Sequence, residues 1–111
     1  MHALVRRPGP HLDEGLLTHQ DRVPVDVDLA ARQWEGYVAA LRDAGWAITE
    51  VEPADSCPDA VFIEDAVVLF DDLAVVTRPG AAPRQPETES GERAARSLGV
   101  EIAAIAAPAT L

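Results

Sequence analysis

The chain contains no lysine, no asparagine and only one cysteine, Cys57. A single thiol excludes an intrachain disulfide. The three histidines, His2, His11 and His19, are scattered and give no metal-ligand spacing with it. All nine positive charges are arginine, against 19 acidic residues, for a formal charge of -10 and a pI near 4.5. That balance argues against nucleic acid as a partner and leaves no polybasic segment for an anionic membrane. No apolar run approaches the roughly 20 residues needed to cross a bilayer. Met1-His2-Ala3-Leu4 lacks the charged-then-apolar layout of a signal peptide, so a cytoplasmic, reducing setting is expected. There is neither a GxGxxG after a strand nor a phosphate loop, which removes support for a nucleotide cofactor.

What is present fits one α/β domain of ordinary size over residues 1–111, with 48% hydrophobic and 25% charged residues. His2-Ala3-Leu4-Val5 reads as a first strand, followed by a long loop from Pro8 to about Val25 whose only apolar knot is Gly15-Leu16-Leu17. Ala30, Trp34, Tyr37, Val38 and Leu41 recur at spacings of three and four, predicting an amphipathic helix over 28–44. Asp26 or Asp28 would cap its start and Gly45 its end. Gly36, in its middle, is expected to mark a close helix–sheet contact. Trp46 to Val51 alternates like a strand.

Val61–Ile63 and Ala66–Phe70 also read as strand, with Asp71-Asp72 turning the chain into Leu73–Thr77. The unbroken apolar run predicts that both faces of that strand are covered. A loop over 78–84, a weakly apolar helix over 86–98 and a last strand over 100–105 complete the order. Two passages of βαβ type hint at an internal repeat, although no residues visibly repeat.

Three carboxylates, Asp59, Glu64 and Asp65, stand within Pro58-Asp59-Ala60-Val61-Phe62-Ile63-Glu64-Asp65, a segment otherwise fit for burial. Two readings stay open from the pattern: turn and strand-end acids with no further role, or acids that face a cation. Adjacent residues on a regular strand point to opposite faces, so Glu64 and Asp65 would need a bulge or turn to converge. Arg84 supplies a guanidinium that can hold a carboxylate with forked donors. Acids at one end and an arginine at the other describe a site for a zwitterionic amino acid such as an arginine derivative.

Gly15-Leu16, the Pro58–Asp65 segment, Thr77-Arg78-Pro79-Gly80-Ala81, and Arg84 with Glu87, in this order and at these separations, resemble the N-terminal part of the dimethylarginine dimethylaminohydrolase (dimethylargininase) family. The likeness runs through essentially the whole chain. It implies an incomplete pentein, an α/β propeller of ββαβ units of which roughly the first two are present. It also implies a hydrolase that converts Nω-methylated arginine to citrulline and a methylamine through a cysteine thiouronium intermediate, without a cofactor. By motif, Leu16 matches a lid leucine over the substrate. Asp59, Glu64 and Asp65 match substrate-binding acids, with Asp65 facing the guanidinium, and Arg84 matches an arginine on the amino-acid portion.

The family's catalytic cysteine and histidine are expected beyond Leu111, and Cys57 sits in the wrong motif to replace the former. Gln85 and Gly91 also depart from the family's pattern. Open sheet edges in an incomplete propeller would invite self-association. The rival readings are a noncatalytic acidic module that binds a cationic ligand or partner, and a nonfunctional truncated remnant.

Overall fold

A computed structural model describes residues 1–111. Strand β1 (His2–Val5) pairs in parallel with β2 (Ala47–Glu50), in the register His2 to Ala47 through Val5 to Glu50. Parallel neighbours require a crossover, and helix α1 (Val27–Asp43) provides it. The Asp26 carboxylate accepts from the Leu29 N–H at 2.9 Å and so caps the helix start. After Ala44 the chain leaves the helix through Gly45 at φ 88°, a left-handed conformation open to glycine at little cost. Trp34 and Val38 turn inward onto Val5, while Tyr37, expected on the same face, stands 57% exposed. Gly36 has open space where a Cβ would lie, so it marks no close contact. It lies on the solvent side of a helix whose buried stripe runs through Trp34 and Val38.

The second unit repeats this topology with one strand added in front. Strand β3 (Val67–Phe70) turns through Asp71-Asp72 into antiparallel β4 (Leu73–Val76), and β4 pairs in parallel with β5 (Glu101–Ala104) across helix α2 (Thr88–Ser97). The βαβ repeat hinted at in the sequence is thus present as topology. Helix α2 starts later than its sequence pattern predicts, because Ala82–Glu87, carrying Pro83 and Pro86, form a 3-10 turn before it. Proline donates no hydrogen bond and disfavours helical geometry in the residue before it, which suits this tighter entry. The inward side of α2 is made of small residues: Ser90, Gly91 and Ala95 are buried. A Cβ on Gly91 would lie 3.4 Å from Ile63 Cδ1 and 3.6 Å from Val67 Cβ, ordinary van der Waals contact, so Gly91, unlike Gly36, faces the packed side of its helix.

Only one face of β3 is covered. Val67 is buried beneath α2, but Val68 and Phe70 are 43% and 72% exposed, against the expectation of a strand covered on both sides. An apolar run does not distinguish one covered face from two, and the single helix on this sheet supplies one cover.

The larger correction concerns Val61–Ile63, which forms no strand. From Cys57 onward the backbone makes successive short-range bonds: Ala60 N–H to Cys57 C=O, Phe62 to Asp59, Asp65 to Phe62 and Ala66 to Ile63, ending in a 3-10 helix over Ile63–Asp65. Side chains in such turns repeat every three residues. Cys57, Ala60, Ile63 and Ala66 accordingly all point inward and are buried. Ile63 and Ala66 pack with Val51, and Leu4 packs against both this cluster and that of Val67, Ala74, Val76 and Ala95, which joins the two sheets.

Candidate functional site

The threefold repeat sorts the acidic motif. If Cys57, Ala60, Ile63 and Ala66 face the core, then Asp59, Phe62 and Asp65 share a second side and Val61 and Glu64 a third. The cavities follow this division. One, of about 510 Å³, is lined by Leu16, Asp59, Phe62, Asp65, Pro79, Gly80, Ala81, Arg84 and Leu111. The other, of about 500 Å³, lies between β1 and β3 and takes in Val61 and Glu64 with Trp34, Tyr37 and Trp46. Phe62 borders both. Four of the five residues singled out in the sequence, Leu16, Asp59, Asp65 and Arg84, therefore meet around one space, and Glu64 does not join them.

The four are held by contacts with one another and with their neighbours. The Asp59 carboxylate accepts the Leu16 N–H at 3.0 Å, tying the long loop to the turn segment. A Cβ on Gly15 would come within 2.3 Å of Asp59 Oδ1, so glycine is required there for space, although its φ of -56° is open to any residue. Arg22 braces the same loop by donating to the carbonyls of Asp13 and Gly15. Asp65 is placed from behind: the Thr77 hydroxyl donates to the Asp65 and Ala66 carbonyls, and the Thr77 N–H to the Ala66 carbonyl at 3.0 Å. Gln85, which departs from the resembling pattern, donates to the Pro79 carbonyl at 3.2 Å and braces the loop after β4.

Arg84 is the most heavily engaged. Nε and Nη2 donate to the two oxygens of Glu87 at 3.1 and 2.9 Å, Nη1 donates to Asp65 Oδ2 at 2.8 Å, and Nη2 also reaches the Asp59 carbonyl at 3.3 Å. Burial acts to lower the pKa of this guanidinium, but the hydrogen bonds and charges of Glu87 and Asp65 outweigh it and raise the net value above the ordinary arginine range. Arg84 therefore stays charged wherever the protein is folded.

Two further residues complete this network, and neither was assigned a site role from sequence. Glu87, quoted with Arg84 in the motif, is fully buried, and so is Arg6, which follows β1 directly. Arg6 donates to the Glu87 carbonyl at 2.8 Å, to Ser90 Oγ at 2.7 Å and to the Ala60 carbonyl at 3.2 Å. Its pKa is lowered by desolvation, partly offset by the negative charge of Glu87. The three-residue spacing of Arg84 and Glu87 was a usable signal. Nothing local marks Arg6, because all its partners are distant in sequence.

Neither histidine nor cysteine lines the cavity around Arg84. Cys57 is buried, with its sulfur 3.9 Å from the Pro83 carbonyl. No three His, Cys, Asp or Glu side chains converge where they could hold a metal ion, and no helix is long and apolar enough to cross a membrane.

No protein-family model matches the chain. Among curated proteins it is 53% identical, over 98% of its length, to an N(G),N(G)-dimethylarginine dimethylaminohydrolase of Streptomyces coelicolor, and 35% identical, over 99%, to that of Pseudomonas aeruginosa. The chain spans 42% and 43% of those two proteins, about two-fifths of their length. Among solved structures, a dimethylarginine dimethylaminohydrolase variant in its adduct with S-methyl-L-thiocitrulline superposes with a TM-score of 0.87 at 35% identity, over 98% of this chain and 43% of the other. The N-terminal domain of a cyanobacterial arginine dihydrolase, ArgZ, superposes with a TM-score of 0.83 at 18% identity, over 99% and 41%, a likeness of fold alone. The two sheets and two helices are thus an incomplete pentein arrangement.

Proposed function

We propose that this chain, a relative of the dimethylarginine dimethylaminohydrolases that matches their N-terminal part, forms the substrate-binding side of a hydrolase acting on Nω-methylated arginine. Residues 1–111 act as one domain. The reaction releases citrulline and a methylamine by attack of a cysteine thiolate on the guanidinium carbon, with a histidine moving protons through the thiouronium intermediate. Both catalytic groups come from residues outside this chain's cavity, which has neither.

One observation carries the reading: Asp59, Asp65 and Arg84 surround a single cavity bordered by Leu16. A cationic amino acid has a positive side-chain end and a carboxylate, and these residues offer a partner for each. Asp65 takes the guanidinium, Asp59 supports the cationic side and holds the Leu16 lid, and Arg84 takes the carboxylate. Glu64 belongs to the substrate-binding acids only through the neighbouring cavity beyond Phe62.

Calorimetry with asymmetric dimethylarginine tests this. Binding by the wild-type chain that is lost in Asp65→Ala supports the assignment, whereas binding that survives the substitution contradicts it. Citrulline released from dimethylarginine by the purified chain alone would overturn the placing of catalysis elsewhere. The absence of histidine and cysteine from the cavity also favours a second reading, a noncatalytic module for cations. That reading predicts comparable affinity for methylguanidine and for dimethylarginine, since it requires nothing of Arg84.

A further inference from the structure

Glu87 is the one carboxylate among the buried residues of the chain, and it does not line the cavity. A carboxylate withdrawn from water is tolerated when it is paired and its lone pairs are used. Glu87 meets that condition in a particular way. Both of its oxygens go to one guanidinium, Oε1 to Arg84 Nε and Oε2 to Nη2, in the side-by-side fork that fixes an arginine's plane as well as its position. Its own place is fixed from behind by Arg6, which holds the Glu87 carbonyl and Ser90 Oγ at one end and the Ala60 carbonyl, next to Asp59, at the other.

A guanidinium has five N–H donors. On Arg84, Glu87 takes two, the Asp59 carbonyl a third and Asp65 a fourth. The unused donor is on Nη1, the edge that also meets Asp65. The fork therefore decides which edge of Arg84 an arriving anion can reach.

We propose that Glu87, fixed in turn by Arg6, is the positioning residue that presents the Nη1 edge of Arg84 to the α-carboxylate of an amino-acid ligand. This rests on the reading of the cavity as an amino-acid site. A purely structural ion pair would hold the fold together equally well but would not distinguish ligands by their carboxylate.

The experiment compares citrulline with its α-carboxamide by calorimetry on the wild-type chain and on Glu87→Gln, which keeps the shape but removes the charge and one acceptor. In the wild type, citrulline binds more tightly than the amide. In Glu87→Gln its affinity falls by about tenfold or more, towards that of the amide, while the amide changes by less than about threefold. Equal losses for both ligands, or no loss for either, overturn the positioning role and leave the amino-acid site standing. A wild type that does not discriminate the two also overturns it, and one that binds neither overturns the amino-acid reading together with the proposal. If circular dichroism shows Glu87→Gln to be unfolded, the same comparison is made with Glu87→Asp. The Arg84 Nε–H resonance of the wild type reads the fork without any variant: solvent exchange as fast as that of an exposed arginine refutes it.

Discussion

Gly15 and Asp59 give the most direct test of how the long loop is held. Alanine at position 15 would put its Cβ 2.3 Å from Asp59 Oδ1 and 3.3 Å from its Cγ, distances that cannot persist. The backbone of Gly15 needs no special conformation, so the conflict is wholly with the Asp59 side chain. The carboxylate must rotate away, and it then gives up the Leu16 N–H that it accepts at 3.0 Å. A hydrogen bond to a charged acceptor contributes about 1.5–3 kcal/mol, with the low end appropriate for this exposed one. Alanine for glycine also restricts the unfolded chain, which returns about 0.4–1 kcal/mol. The expected net loss for Gly15→Ala is thus about 1 kcal/mol in urea-induced unfolding, accompanied by weaker dimethylarginine binding as Leu16 is released. In an Asp59→Ala background the obstacle is gone, and Gly15→Ala is expected to stabilise by about 0.5 kcal/mol. The double-mutant cycle therefore predicts a coupling of about 1.5 kcal/mol. An equal effect of Gly15→Ala in both backgrounds would refute the reasoning.

Other substitutions test separate parts of the structure. Arg84→Ala leaves Glu87 buried without its partner and is expected to cost about 3–5 kcal/mol, whereas Arg84→Met with Glu87→Leu, which removes both charges, costs much less; denaturant midpoints of the two variants decide. Gly36→Ala, on the open side of α1, is expected to stabilise by about 1 kcal/mol, and a fall in the thermal midpoint would show that the position is not open. Thr77→Val removes the hydroxyl that braces the Asp65 and Ala66 carbonyls and is expected to lower stability by about 1–2 kcal/mol, with dimethylarginine affinity falling as Asp65 loosens. Phe70→Asp places a charge on the uncovered face of β3, so any self-association seen by sedimentation velocity should weaken, and a persistent oligomer would locate its interface elsewhere.

Several elements were legible in the residues because their causes are local. The stripe of Ala30, Trp34, Val38 and Leu41, the Asp26 cap and the Gly45 exit each act within a turn or two, and they place α1 within a residue of its observed ends. The Asp71-Asp72 turn and the strands on either side follow for the same reason. The motif residues Leu16, Asp59, Glu64, Asp65 and Arg84 could also be named without coordinates, from the family resemblance of the motifs that carry them. A short apolar segment fits more than one period. Val61–Ile63 has the same composition as a strand, and only the run of short-range hydrogen bonds shows that its repeat is three.

Apart from Val61–Ile63, the local elements follow from the residues alone, as do the acidic excess and the set of residues whose chemistry suits a cationic amino acid. Which of them meet depends on the fold. A threefold turn carries Asp59 and Asp65 to one cavity and Glu64 to another, a division invisible to strand alternation. It also buried Glu87 behind Arg84 and drew Arg6 to it from 81 residues away, because desolvated charges take their partners wherever the fold brings them near.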